Sequence, residues 1–294
     1  MRYIGALILI FTFNTLLASA KLAGLEAYRN YHAVADTDTV KPIRKSSASV
    51  GVTYGSDALF FGRTGPIKYP FVSTDIVINS KPGFFAYGSA LKVLGYKPLV
   101  DEIDVGGGYY YRLSKKYTGT ISYTRFIFNK EANIIKSASS NDINWKNSFD
   151  FKSFRTSITA DYLFGKSYDV FTTLSVSKYI ESKFSIFNDQ DYLSVTPSVS
   201  MILGTQNFVQ RYAVDHERTL EYTNIYLPDE NARMARANSR FNALNYSFKL
   251  PLAYNTPHYT LEASWRYSMP VNVEGLLRNH RESFFNFTFY YVFY

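Results

Sequence analysis

The chain contains no cysteine, which excludes a disulfide framework, a thiolate metal site and a cysteine nucleophile. After residue 20 it has no apolar run long enough for a spanning helix, so it either stays out of the bilayer or crosses it as a closed barrel. Histidine is scarce at four residues, and tryptophan at two. No internal repeat, collagen-like period or long Pro/Gly/Ser linker is present. Basic residues do not cluster beyond the short Lys41 to Lys45 stretch. A net charge of +8 therefore reads as a solvated, mixed-charge surface or lumen rather than a nucleic-acid site.

What the chain has in quantity is aromatic surface, with 26 Tyr and 24 Phe, at a slightly negative mean hydropathy of −0.16. Membrane barrels use such residues in girdles at the two interfaces, where a ring sits in apolar surroundings and a hydroxyl in water. The two ends of the sequence agree. Arg2, an apolar stretch from Ile4 to Leu17 and Ala18-Ser19-Ala20 have the order of a secretory signal peptide. Cleavage after Ala20 removes one charge, leaving +7. Residues 21–47 are polar, with Asp36, Asp38 and Pro42, and read as a periplasmic lead-in or partial plug. Residues 48–294 are expected to form the barrel, and the last segment, RESFFNFTFYYVFY, runs to Tyr294.

Several segments alternate with a period of two, which sorts side chains onto the two faces of a strand. Phe154, Thr156, Ile158, Ala160, Tyr162 and Phe164 share one face, and Ser153, Arg155, Ser157, Thr159 and Asp161 the other. Leu193, Val195, Val199, Met201 and Leu203 oppose Ser194, Thr196, Ser198 and Ser200. Leu261, Ala263, Trp265 and Tyr267 oppose Thr260, Glu262, Ser264 and Arg266, and Leu244, Tyr246, Phe248 and Leu250 oppose Asn245, Ser247 and Lys249. Such stretches are long enough for tilted strands to cross a bilayer.

Eleven strands are read in this way, near 48–61, 70–80, 83–94, 102–113, 116–128, 149–164, 168–181, 190–204, 239–251, 257–269 and 282–294. Bacterial single-chain barrels have an even number. Turns near 80–83, 114–116, 165–167 and 255–257 are expected on the periplasmic side, with outer loops near 129–148, 182–189 and 270–281. Parity then calls for a twelfth strand within 206–226, where Phe208, Tyr212, Val214, Leu220 and Tyr222 share a face. The fold class expected is an all-β transmembrane antiparallel barrel of about 12 strands.

Over its mature length the chain resembles bacterial outer-membrane β-barrel proteins of the porin-like kind, on the cleavage site, the alternating strands and the terminal aromatic. The resemblance implies that Tyr290, Val292 and Tyr294 form the signal read by the barrel insertion machinery, with Phe285, Phe287, Phe289, Tyr291 and Phe293 as an inner stripe. The stretch VGVTYGSDALFFGR, ending at Arg63, also resembles the first strand of uncharacterised Bacteroidota barrels. Localisation in the outer membrane of a Gram-negative bacterium, with outer-membrane lipids as partners, follows from the same resemblance.

Enzyme chemistry finds little support. The barrel phospholipase motif His-x-Ser-Asn-Gly is not matched, since Val34, Arg218, Thr260 and Glu282 stand two residues after the four histidines. A barrel hydrolase of the omptin type, working through an Asp-His pair, is the remote alternative. Asp215-His216 is the only adjacent pair, and neighbours in a strand point to opposite faces. Asp101, Glu102 and Asp104, like Asp229-Glu230, read as solvated loop carboxylates rather than a cation site. Gly106-Gly107-Gly108 lacks the Lys-Ser/Thr of a phosphate loop and reads as small residues within a strand. No cofactor or metal is implied. The remaining constellation is the charge on the polar faces: Asp75, Arg112, Arg155, Asp161, Arg211, Lys249, Glu262 and Arg266. In a wet lumen these tune ion selectivity, and in a narrow one they pair and seal it. Two functions stay open at this point. One is a passive channel for small hydrophilic solutes, with mild anion preference from the +7 charge, and the other a closed structural or binding barrel with functional outer loops.

Overall fold

The structure is a computed structural model that describes residues 46–59, 61–62, 68–95, 97–129, 139–165, 168–187, 189–207, 241–273 and 279–294. Twelve strands make one antiparallel sheet: β1 (Ser47–Gly55), β2 (Phe71–Asn79), β3 (Phe84–Val93), β4 (Glu102–Arg112), β5 (Tyr117–Phe128) and β6 (Ser139–Asp150). They continue as β7 (Arg155–Gly165), β8 (Tyr168–Ser177, resumed at Ile180–Glu181), β9 (Tyr192–Val195, resumed at Ser198–Gly204), β10 (Asn242–Asn255), β11 (Tyr259–Pro270) and β12 (Glu282–Phe293). Each strand pairs with its chain neighbours, and β12 pairs with β1 over Ala48↔Phe293 to Gly55↔Asn286. The sheet is closed, which removes every edge that would present unpaired backbone to lipid.

Proline accounts for one interruption. In β9 the ladder stops at Thr196 and Pro197, because Pro251 of β10, opposite Thr196, has no N–H to return, and Pro197 has none to give to β8. Its carbonyl accepts instead from Lys178 N at 3.1 Å, within the matching gap of β8, while Thr196 N reaches Pro251 O at 3.2 Å.

The alternation behaves as the segments of β7, β9 and β11 imply. Ile158, Val199 and Leu261 are exposed, while Asp161, Ser194 and Thr260 are buried. An apolar outer wall encloses a largely polar inner one. That division is the reverse of a soluble domain and suits a lipid surround.

Four expectations are corrected. First, the twelfth strand is β6, inside the segment expected to be an outer loop. Its outward positions include Asn141 and Asn147, which break the apolar pattern. Tyr111 and Tyr117 both donate their hydroxyls to Asn147 Oδ1, so the amide oxygen is satisfied without water. Second, β9 pairs directly with β10, from Ser198↔Lys249 to Gly204↔Asn242, so closure requires no strand from 206–226, and residues 208–226 lie outside the described residues. Third, adding β6 inverts the later turns. The turn after β7 lies at the end opposite the C-terminus, and the 182–191 connection lies at the C-terminal end, beside the turns at 80–83, 113–116, 151–154 and 256–258. Fourth, the faces of β12 are exchanged. Phe285, Phe287, Phe289 and Phe293 are exposed, while Phe284 and Thr288 are buried, and Thr288 Oγ1 lies 3.1 Å from Thr53 Oγ1 across the seam. The aromatic stripe faces outward.

One bulge also moves a side chain. The register shifts between Ile202↔Asn245 and Leu203↔Ala243, which leaves Leu244 as the extra residue. Leu244 was expected on the outer wall, yet it is fully buried.

Candidate functional site: the lumen

Interior space is allotted by glycine. A Cβ on Gly106 would come within 2.5 Å of the Tyr87 hydroxyl, and one on Gly108 within 2.6 Å of the Phe85 ring. The two glycines of the Gly106–Gly108 run that face inward therefore make room for rings from β3, which pack beside Val77. Gly51 gives the same room to Tyr290, Gly55 to Phe71 and Gly204 to Phe171. Rings over glycines narrow the lumen along β1 to β4.

Along β7 to β9 the inner positions toward the C-terminal end of the barrel are small. Ser157, Thr159, Thr173, Ser175, Ser177, Ser198 and Ser200 are all half-buried. Ser157 Oγ and Ser175 Oγ are 2.6 Å apart, and Ser200 Oγ and Ser247 Oγ 2.8 Å. This is a hydroxyl-lined wall with room beside it for water.

The carboxylates collect in an arc from β2 to β7. One row of the register runs Asp75↔Ser89↔Asp104↔Phe126, and Asp142, opposite Leu163, and Asp161, opposite Phe171, extend the arc. Ser89 donates to Asp104 Oδ2 at 3.2 Å, and Asn144 Nδ2 donates to Asp161 Oδ1. Both oxygens of Glu102 and of Asp142, and one each of Asp75, Asp104 and Asp161, are buried with no hydrogen-bond partner among the described residues. Buried carboxylates are not left bare, so these oxygens call for water or cations in the lumen.

Basic groups are largely answered within the protein. Arg155 holds Asp150 through Nε to Oδ1 at 2.5 Å and Nη2 to Oδ2 at 3.2 Å. Lys249 Nζ lies 3.6 Å from Glu262 Oε1, with Arg266 opposite Lys249 in the register. Arg112 is exposed at the C-terminal end of the barrel, and Arg211 lies outside the described residues. Of the expected lumen charges, the structure thus sets Asp75 and Asp161 in one arc and Lys249, Glu262 and Arg266 in a second cluster. Arg155 and Arg112 stand apart from both.

Glu102, Asp104 and Asp142 were not recognised as lumen residues. Glu102 and Asp104 looked like part of a loop cluster with Asp101, but strand alternation divides them. Asp101 turns to Lys92 at 3.5 Å and to Val93 N at 2.8 Å, while the other two face inward. Asp142 was hidden in the polar sequence of β6. No three His, Cys, Asp or Glu side chains among the described residues are arranged to hold a metal ion.

At the end opposite the termini, the segment after β1 turns into the lumen. Asp57 Oδ1 accepts from Ala58 N at 2.9 Å and Tyr69 N at 2.7 Å, tying the two feet of the loop. Beyond it Ala58, Leu59 and Phe61 are buried, and Phe61 stacks on Phe171 of β8. The carbonyl of Gly62 accepts from Ser268 Oγ of β11 at 2.9 Å. Phe61 has φ 45°, a left-handed conformation that a bulky residue adopts only where its surroundings impose it. Phe61 stacked on Phe171 forms an apolar constriction, with Leu59, Leu163, Phe126 and Phe284 also buried, and alternation carries no sign that Ala58, Leu59 and Phe61 leave the wall.

The expected Asp215-His216 pair and Asp229-Glu230 lie outside the described residues. No family model matches the chain, and no curated protein matches it. Solved structures similar to it are bacterial outer-membrane porins and barrels. The KdgM porin has 7% identity at TM-score 0.48, with 84% of this chain and 99% of that one covered. The NanC porin has 13% identity at 0.44, with 82% and 98% covered. LpxR from Salmonella typhimurium has 8% identity at 0.46, with 83% and 99% covered. No residue role is transferred at such identities.

Proposed function

We propose that this chain is an outer-membrane channel for the passive passage of small hydrophilic solutes, with a preference for cations. It is exported by the segment 1–20, and its termini face the periplasm. The observation that carries the reading is the inner wall: a half-buried hydroxyl face on β7 to β9 beside an arc of carboxylates, several of whose oxygens find no partner among the described residues. Hydroxyls solvate any small polar solute, and fixed carboxylates draw in cations. The anion preference expected from net charge is withdrawn. Arg155 and Lys249 are held by Asp150 and Glu262, which leaves the carboxylate oxygens without a partner among the described residues to set the sign of the field.

A second reading has its own observation. The Phe61 constriction supports a barrel closed in its resting state, with passage only when the 58–62 segment withdraws. Planar-bilayer recording of the purified protein separates the two, and reversal potentials in a salt gradient report selectivity. The channel reading expects discrete openings with potentials of cation-selective sign. Records at the leak of an empty bilayer, for the wild type and for a variant lacking the constriction, would overturn it.

A further inference from the structure

The outer wall carries a second constellation, and its meaning rests on the membrane-spanning reading above. Across the outward positions of β1 to β7 the charged side chains are Lys92 and Arg125. They lie one strand apart near the end opposite the termini. Lys92 is matched by Asp101 at 3.5 Å. Arg125 meets only neutral groups among the described residues, and around it Ile103, Val105, Tyr123, Ile127 and Ile143 are exposed. A guanidinium set within an apolar, lipid-facing band is unfavourable unless an anion or water reaches it.

The chain builds a seat for this guanidinium. The register of β6 on β7 shifts between Ser139 and Asn141, and such a bulge re-aims consecutive side chains. Here both Ser140 and Asn141 reach Arg125. Its Nη1 donates to Asn141 Oδ1 at 2.8 Å and to Ser140 Oγ at 3.1 Å. Asn141 is itself locked and nine-tenths buried. Its Oδ1 also accepts from the Tyr123 hydroxyl at 2.7 Å, and its Nδ2 donates to Phe164 O at 3.1 Å and Ser140 Oγ at 3.3 Å. One nitrogen of the guanidinium is thereby fixed, and Nη2 and Nε have no acceptor among the described residues. Those two nitrogens form the planar fork that matches two oxygens of a phosphate.

We infer that Arg125, positioned by Ser140, Asn141 and Tyr123, is a binding site on the outer wall for the phosphate of a membrane-lipid head group. The lipid's acyl chains lie along the isoleucines of β4 to β6. The apolar surround selects a lipid over an acidic protein segment, because Ile103, Ile127 and Ile143 offer nothing to a polar chain. The site is separate from the lumen, whose carboxylate arc lies on the opposite face of the same strands.

The test uses the full-length protein purified in a phosphate-free maltoside, with native mass spectrometry as the readout. Phosphatidic acid, the diacylglycerol of the same chains and inorganic phosphate are offered in turn. The wild type is expected to retain phosphatidic acid about tenfold more than diacylglycerol, the size of one charge-assisted bidentate contact. Arg125→Gln should erase that preference and Lys92→Gln should leave it. Asn141→Ala, which frees the guanidinium without removing it, should weaken it. Folding of each variant is checked by heat-modifiable gel mobility, and the Lys92 and Asn141 variants keep the test decisive if Arg125→Gln does not fold. Equal retention of the two lipids, a preference that survives in Arg125→Gln, or displacement of the lipid by inorganic phosphate overturns the inference while leaving the barrel reading intact. Recovery of the protein from cells in the soluble fraction would overturn both.

Discussion

On the wall formed by β2 to β6 the inner positions carry Asp75, Ser89, Asp104, Phe126 and Asp142, all buried. On the wall formed by β7 to β9 they carry Ser157, Thr159, Thr173, Ser175 and Ser200, all half-buried. Both walls follow the same alternation, and both are mostly polar. They differ in the size of their neighbours. Tyr87 and Phe85 spread over glycines and cover the first wall, while the hydroxyls of the second stay half-buried among the described residues. Polarity therefore does not decide where this lumen is open. The volume of the side chains on adjacent strands decides it, and the 58–62 segment adds Phe61 where the two walls meet.

The sharpest way to break this contrast is to remove the shared constriction. Leu59→Ala with Phe61→Ala takes away the rings and branches set against Phe171, without touching either polar wall. Unitary conductance is expected to rise several-fold over the wild type, because access resistance is set by the narrowest section, and a barrel of this strand number is otherwise wide enough for small solutes. Unchanged conductance would mean that the ions pass elsewhere or that other residues set the limit.

Next in size is the charge asymmetry between the walls. A carboxylate changes the energy of a cation roughly 15 Å away by about 1 kcal/mol at an effective dielectric of about 20, or about fivefold in local concentration. Asp104→Asn with Asp142→Asn should accordingly lower the cation-to-anion permeability ratio several-fold, and added salt should shrink the effect. Reversal potentials measure it directly. Arg155→Gln, which changes one charge rather than two, should change the ratio less, and in the opposite direction because it releases Asp150.

How much of this was legible in the sequence differs by wall. The hydroxyl wall was readable because β7 and β9 keep clean alternation from Ser153 to Phe164 and from Leu193 to Leu203. The carboxylate wall was half hidden. Asp142 sits in β6, whose outward asparagines are held by Tyr111, Tyr117 and Tyr123 and, for Asn141, by Arg125 and Phe164 as well, and that compensation is invisible without the register. The count of twelve came out right from parity, although the strand supplied for it was the wrong one. In β12 the polar Asn286 and Thr288 mark the inner face and Phe285, Phe287, Phe289, Tyr291 and Phe293 the outer one. Alternation does point the stripe outward, and giving Tyr290, Val292 and Tyr294 the lipid face reverses it. Its orientation is set by the seam, where Thr288 meets Thr53. The in-turned Phe61 had no signal at all, since it depends on contact with β8 and β11 far along the chain.

The third prediction concerns stability. Lys249→Met leaves Glu262 without its partner in a half-wet interior, and should cost about 2 kcal/mol, less than a fully buried pair. Lys249→Met with Glu262→Met should recover most of it. The temperature at which the folded band converts on a gel checks both. A double variant as weak as the single would mean that Arg266, not the missing partner, governs this side of the barrel.

The smallest effect belongs to the open wall. Ser157→Ala with Ser175→Ala removes both hydroxyls of a pair 2.6 Å apart. Taking both partners leaves no unsatisfied group, so the change in stability should stay within about 1 kcal/mol. The freed volume is that of two oxygens in a section already wider than the constriction, so conductance and permeability ratio should both stay at wild-type values. If the two hydroxyls instead belong to a packed seal, the same substitution would loosen it, and conductance would rise together with a loss of heat resistance. That paired change separates the two readings of the β7 to β9 face. A wall that water already lines is indifferent to losing two hydroxyls, whereas a seal is not.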